Sequence, residues 1–221
     1  MPQIFSPRSN GLTRLFLVAL LLLVAFGTGA GFLLNRSPYS TAQNEVPEQP
    51  VPFSHQHHVG GLGIDCGYCH TGTNRSAFAG LPDTATCMSC HSQLWTNADV
   101  LAPVRESFSE SKPLAWVRVH DMPDFVYFNH QAHVSNGVGC ESCHGRVDQM
   151  PLMRQAKPLT MRWCLDCHRK PGPRLRERSQ ITVMGHPLDT TGESRQARAA
   201  RLIRKYNINT DRMTECVTCH R

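Results

Sequence analysis

The chain is short of the residues from which a self-sufficient soluble core is built. Aromatic side chains make up 7% of its 221 positions, and the whole holds 15 prolines and 16 glycines. Beyond residue 36 the apolar residues are thinly spread. A domain of that composition struggles to bury a core, a deficit that small proteins meet with metals or cross-links. No run alternates apolar and polar residues as a half-buried strand would, so no sheet is expected. A basic patch interleaved with stacking aromatics is also missing, which leaves nucleic-acid binding without a basis. No thiol near residue 30 offers a lipoprotein anchor.

What the chain does have is ten cysteines, all spent on five copies of one pentapeptide, Cys-x-x-Cys-His. The copies are Cys66/Cys69/His70, Cys87/Cys90/His91, Cys140/Cys143/His144, Cys164/Cys167/His168 and Cys216/Cys219/His220. This is the attachment signature of c-type haem: two thiols add to the porphyrin vinyl groups and the next imidazole binds the iron. Zinc ribbons consume Cys-x-x-Cys pairs two at a time, and five is odd. Histidine is 12 of 221 residues, so its presence after every pair is a chance event of about one in a million. Disulfides explain neither the histidine nor the fixed gap. Five haems c are expected, and these large flat apolar groups would supply the missing core. The apoprotein is then expected to be largely unfolded.

From Leu15 to Leu34 run twenty residues without a charge, enough for a helix to cross the roughly 30 Å hydrocarbon layer. A cleavable signal peptide has a shorter apolar core, about 7–15 residues, although Gly27 to Gly31 would suit a peptidase. A retained anchor over 1–36 is the expectation. Arg8 and Arg14 precede the helix and Arg36 alone follows closely, which puts the N-terminus in the cytoplasm and the haem domain outside. A Pro-containing linker, 37–52, leads to a haem domain over 53–221.

First cysteines of successive motifs are 21, 53, 24 and 52 residues apart, so sites 1 and 2 pair, sites 3 and 4 pair, and site 5 stands alone. Ahead of each pair lies the same string: Phe53-Ser54-His55-Gln56-His57-His58-Val59 and Phe128-Asn129-His130-Gln131-Ala132-His133-Val134. This is a duplication of about 75 residues, roughly 53–127 and 128–204, with the fifth site at 216–220. His55, His58, His130 and His133 hold equivalent places and are the expected distal iron ligands. Two imidazoles on one helical turn cannot bind one iron from one side, so each pair should serve two haems. His57 aligns with Ala132 and is not expected to ligate. For the fifth distal position His120 ranks first and His186 second, with a thioether from Met150, Met153, Met161 or Met184 as the other chemistry. No motif replaces its histidine by lysine, and histidines outnumber the positions to fill, which argues for electron transfer rather than substrate chemistry.

The expected fold is mainly α with much irregular structure: one N-terminal transmembrane helix and an extracytoplasmic multihaem domain organised around five haems. A basic helix is expected over 195–206, capped by Ser194. Residues 37–153 hold five Lys/Arg against eleven Asp/Glu, and 154–221 fifteen against six. The cationic half serves either to neutralise haem propionates or to dock an acidic partner.

The His-x-x-His and Cys-x-x-Cys-His arrangement resembles the class III multihaem cytochromes. That resemblance implies that His55 binds haem 1 and His130 haem 3, with His58 and His133 crossing to other haems. More specific strings cover most of the chain after the anchor. They include Ser76-Ala77-Phe78-Ala79-Gly80-Leu81-Pro82, Trp116-Val117-Arg118-Val119-His120, Pro123-Asp124-Phe125-Val126-Tyr127-Phe128-Asn129-His130 and Trp163-Cys164-Leu165-Asp166-Cys167-His168. Together these resemble the pentahaem cytochrome c subunit of alternative complex III. The resemblance implies a non-catalytic electron-transfer subunit of a quinol:electron-acceptor oxidoreductase. Its implied neighbours are an iron–sulfur subunit related to molybdopterin enzymes, polytopic quinol-oxidising subunits, often a monohaem cytochrome c, and a soluble acceptor. Two alternatives stand beside it: a self-contained membrane-anchored multihaem quinol dehydrogenase and a terminal multihaem reductase.

Overall fold

A computed structural model describes residues 6–185 and 192–220. The chain divides into two units, 1–42 and 43–221. The first is built on α1 (Pro7–Leu34), followed by the single turn α2 (Pro38–Thr41). Proline at the first helical position costs α1 no hydrogen bond, because that N–H has no partner in any helix. At the other end Ser37 and Ser40 donate their hydroxyls to the Leu34 carbonyl at 2.7 and 2.6 Å, satisfying an acceptor the helix leaves open. The Arg36 guanidinium lies 3.6 Å over the Phe32 ring. Leu15, Phe16, Leu21, Leu22, Leu23, Phe26 and Leu33 are all exposed around the helix. Apolar on every side, it is long and apolar enough to cross a membrane over Arg8–Leu34.

The second unit is helical and loop-rich. It holds a π-helical turn Gln56–Gly61, then α3 (Cys66–Cys69), α4 (Thr84–His91), α5 (Ala102–Glu110), α6 (His130–Ser135), α7 (Glu141–His144), α8 (Met161–Arg169), α9 (Arg195–Lys205) and α10 (Cys216–Cys219). Among the described residues extended pairing is limited to one antiparallel bridge, Val138 with Leu175. The mainly helical expectation holds. Five helices carry the five motifs, and four one-turn 3₁₀ segments link them.

Residues 43–52, expected as a free tether, are held down. The Asn44 N–H donates to Gln155 O at 2.7 Å, Gln49 exchanges two hydrogen bonds with the Val117 backbone, and Val51 is buried. The polar side chains that made this stretch look like a linker are its anchors.

The core is small. Among the described residues the buried apolar side chains are Val51, Val104, Val147, Met150, Leu175, Ile181 and Leu202. Tyr68, Phe78, Leu81, Leu94, Trp95 and Phe125 are more than half exposed. The polypeptide leaves the large apolar residues near its motifs uncovered. Helix α9 forms where expected, with Ser194 accepting from the Ala197 N–H at 3.2 Å, and Tyr206 stands just past its end. It is more than a surface helix, because Leu202 is fully buried and Ala199 packs against Gly172. Its outer face ties back through Arg201 to Glu177 and Glu193, and through Lys205 to Glu177.

Truncating Leu202 to alanine in the haem-loaded protein should cost about 2–5 kcal/mol, the usual range for a buried leucine. Denaturant unfolding followed by far-UV circular dichroism measures it, and a loss below 1 kcal/mol would show that α9 is not anchored by this residue.

Candidate metal centres

Each motif starts on a short helical turn, which sets its two thiols three residues apart on one face. Side chains fix two of these turns. Asp65 accepts from the Gly67 N–H at 2.8 Å, and Asp83 accepts from the Thr86 N–H at 2.8 Å and from its hydroxyl at 2.7 Å. All ten cysteines are free thiols. Burial pushes the Cys143 thiol up to about 11 and also raises Cys69, Cys87, Cys164 and Cys167.

The two His-x-x-His segments are built alike at their starts. Ser54 caps the first by accepting from the His57 N–H at 3.2 Å, and Asn129 caps the second by accepting from the Ala132 N–H at 3.1 Å. They differ in winding: the second is α-helical, while the first widens into a π-turn at Gly60-Gly61. A side chain at Gly60 would collide with the Asp148 carbonyl, so that close approach requires glycine.

The imidazoles meet in pairs. His55 faces His70 with ring centres 6.5 Å apart, His58 faces His91 at 6.3 Å, His130 faces His144 at 6.4 Å and His133 faces His168 at 6.1 Å. An iron bound to two imidazole nitrogens at about 2.0–2.1 Å each would put the ring centres roughly 6.4 Å apart. Rings in direct contact sit closer here: Phe53 stacks on His58 at 4.4 Å and Phe128 on His133 at 4.6 Å. The four histidine pairs therefore have the spacing of two axial ligands, and these residues fit haem c.

Hydrogen bonds set the tautomer. Nδ1 of His58, His70, His91, His130, His133, His168 and His220 lies 2.7–3.0 Å from a backbone carbonyl: those of Ser54, Gly80, Leu94, Thr73, Asn129, Met213 and Phe125 respectively. A carbonyl can only accept, so Nδ1 carries the proton and Nε2 keeps the lone pair that binds a metal. Burial reinforces neutrality. His55 is held down to about 4 by burial and then by His70 and His58, and His144 to about 3 by burial and then by His120 and His130.

The remaining histidines fall into place differently. His120 packs edge-on against His144 at 4.4 Å, too close for a metal between the rings, and its buried Nε2 has no partner. Burial holds it near 4. The ring beside His220 is that of Phe125, at 5.8 Å. The structure thus brings His120 to the third site and not against His220. His57 is exposed, between His58 and Trp95. His186 lies outside the described residues. Among the candidate methionines Met150 is a core residue and Met161 is exposed. Among the described residues no three His, Cys, Asp or Glu side chains converge on a common point.

Sequence reasoning named the four paired distal histidines but could not say which sites His58 and His133 serve. It also missed the phenylalanines as residues that orient them. The signal was present, since Phe53 and Phe128 occupy the same place in both copies of the repeat.

No protein-family model matches the chain. It is 40% identical over 98 residues to the multihaem cytochrome c subunit of menaquinone reductase from Nitratidesulfovibrio vulgaris strain Hildenborough. The alignment covers 44% of this chain and 46% of that protein, so the chain spans less than half the length of the relative it matches. The relative is a multihaem cytochrome c subunit, and the motifs and imidazole pairs of this chain are of the kind such a protein carries.

Replacing His58 by alanine should convert one low-spin ferric haem signal to high spin and leave the signal of the His55 site low-spin. Electron paramagnetic resonance of the oxidised protein reads this directly, and an unchanged low-spin spectrum would remove His58 from the ligand set.

Proposed function

We propose that this chain is the membrane-anchored, five-haem electron-transfer subunit of a quinol-linked oxidoreductase of the alternative complex III type. The observation that carries the reading is the set of four imidazole pairs at axial-ligand spacing. When bound, haem c supplies a reversible one-electron ferric/ferrous couple. The chain's residues supply everything else. The ten thiols would fix the groups covalently, and the carbonyl-bound Nδ1–H groups of His58, His70, His91, His130, His133, His168 and His220 aim their Nε2 atoms. Four of the groups would each be held by two histidines, His55 with His70, His58 with His91, His130 with His144 and His133 with His168, which would leave no ligand position for a substrate there. The work of such sites is electron relay, and the catalysis of quinol chemistry belongs to partner subunits.

Helix α1 supports anchoring, and the arginines before it favour a haem unit on the extracytoplasmic side. The partners in this reading are an iron–sulfur subunit related to molybdopterin enzymes, polytopic subunits that hold the quinone, in some complexes a monohaem cytochrome c, and a soluble acceptor.

The direction of flow has a second reading. The relative's name is that of a reductase of menaquinone, so electrons in this chain would run toward the quinone instead of away from it. One experiment separates the possibilities. The purified haem-loaded chain is mixed with a quinol analogue, with and without its native membrane partners, and the haem α-band is followed; the pre-reduced form is then mixed with quinone. Reduction only when partners are present supports the relay reading. Rapid reduction of the chain alone would replace it with a self-contained quinol dehydrogenase. Oxidation by quinone without reduction by quinol would reverse the direction.

A further inference from the structure

The five attachment segments are not arranged in space as they are in sequence. We propose that they form an unbranched series in the order 2–1–3–4–5, with Cys87–His91 at one end and Cys216–His220 at the other, an inference that rests on the haem c reading above. Each link is a contact between named residues. Sites 1 and 2 share the turn that carries His55 and His58, and Tyr68 Oη lies 3.1 Å from Ser89 Oγ, each the residue just before a second motif cysteine. Sites 1 and 3 are joined across the repeat boundary. His130, which faces the third site, donates from Nδ1 to Thr73 O at 2.9 Å, and its backbone N–H donates to Ala77 O at 3.1 Å. Thr73 and Ala77 belong to the loop that follows the first motif. Sites 3 and 4 share the helix that carries His130 and His133. Sites 4 and 5 meet where His168 Nδ1 donates to Met213 O at 2.7 Å, three residues ahead of Cys216.

Exposure marks the same ends. Of the ten cysteines, the two that are exposed are Cys90, in site 2, and Cys216, in site 5. An unbranched series has two places where a donor and an acceptor can reach it, and here these are the segments whose thiols already lie at the surface.

The order makes a countable prediction, because site 1 has two neighbours and site 2 has one, whereas in sequence order site 1 would have one and site 2 two. In the full-length haem-loaded chain, His55→Met and His58→Met each raise the potential of one site relative to its bis-histidine neighbours. Titration with dithionite then reduces that site first, to a diamagnetic ferrous form. Ferric signals of adjacent sites lose their dipolar broadening and sharpen. For His55→Met two of the remaining signals should sharpen, and for His58→Met one. One and two respectively would overturn the order. Should a methionine variant fail to take a sixth ligand, Cys66→Ala/Cys69→Ala and Cys87→Ala/Cys90→Ala empty the same sites outright, and the same two-against-one count applies. Covalent haem measured beforehand by the pyridine haemochrome assay separates the two ideas: its absence sinks the cofactor reading, while five haems with reversed counts sink the order alone.

Discussion

The arrangement depends on a gap. Four pairs of imidazoles face one another with ring centres 6.1–6.5 Å apart, about 2 Å farther than the rings of this chain that touch. Two neutral rings at that separation gain little from each other, and the surrounding chain has few buried apolar residues with which to hold them. A metal bound on both sides would explain the spacing and would make the cofactor a structural cross-brace. Each bond pair ties a residue before a motif to a residue within one, often far apart in sequence. Folding and cofactor attachment are then one process, as in small metal-dependent domains.

Within that frame the histidine tautomer is the finest constraint. An imidazole free to choose would present either nitrogen, and only one orientation binds. The chain settles the choice with backbone carbonyls, which accept and never donate. In both His-x-x-His segments the second histidine uses the carbonyl four residues back, Ser54 for His58 and Asn129 for His133. Phe53 and Phe128 then close off rotation by stacking on those same rings. Two cheap local contacts thus orient the long-range ligand of each repeat.

How much of this could be read from residue order divides along the same line. The motifs, the repeated string and the four histidines that face motif histidines were legible because each is a fixed local spacing, and local spacing survives in sequence. The anchor was legible as an uncharged run. The ring that each of these histidines meets was not, since it depends on how segments of 13 to 34 residues fold back, and those segments carry no periodic signal. The docking of residues 43–52 was hidden for a related reason: glutamine and asparagine look like linker residues until the carbonyls they reach are known. His120 was ranked for the fifth distal position from its place ahead of the second histidine pair, and order in the chain does not say which ring it meets; here that ring is His144.

The basic C-terminal half shows how composition and geometry can diverge. Fifteen cationic residues from Arg154 onward suggest an open docking face. Several of them are already committed inside the chain. Arg176 is buried, bonded to Glu141 at 3.0 Å and to the Val183 carbonyl, and its guanidinium stem lies over Gly139 next to the third motif. Arg201 and Lys205 converge on Glu177. A buried pair such as Arg176–Glu141 adds little net stability relative to an apolar substitute, but breaking it strands a charge, so its value is in specifying one arrangement. That arrangement is the register between the third motif and the 172–183 loops, which also holds the single bridge Val138–Leu175. The cations of this half therefore locate the third site before any are left over to meet a partner. On α9, Arg195, Arg198 and Arg204 stand outside the Glu177 and Glu193 pairs.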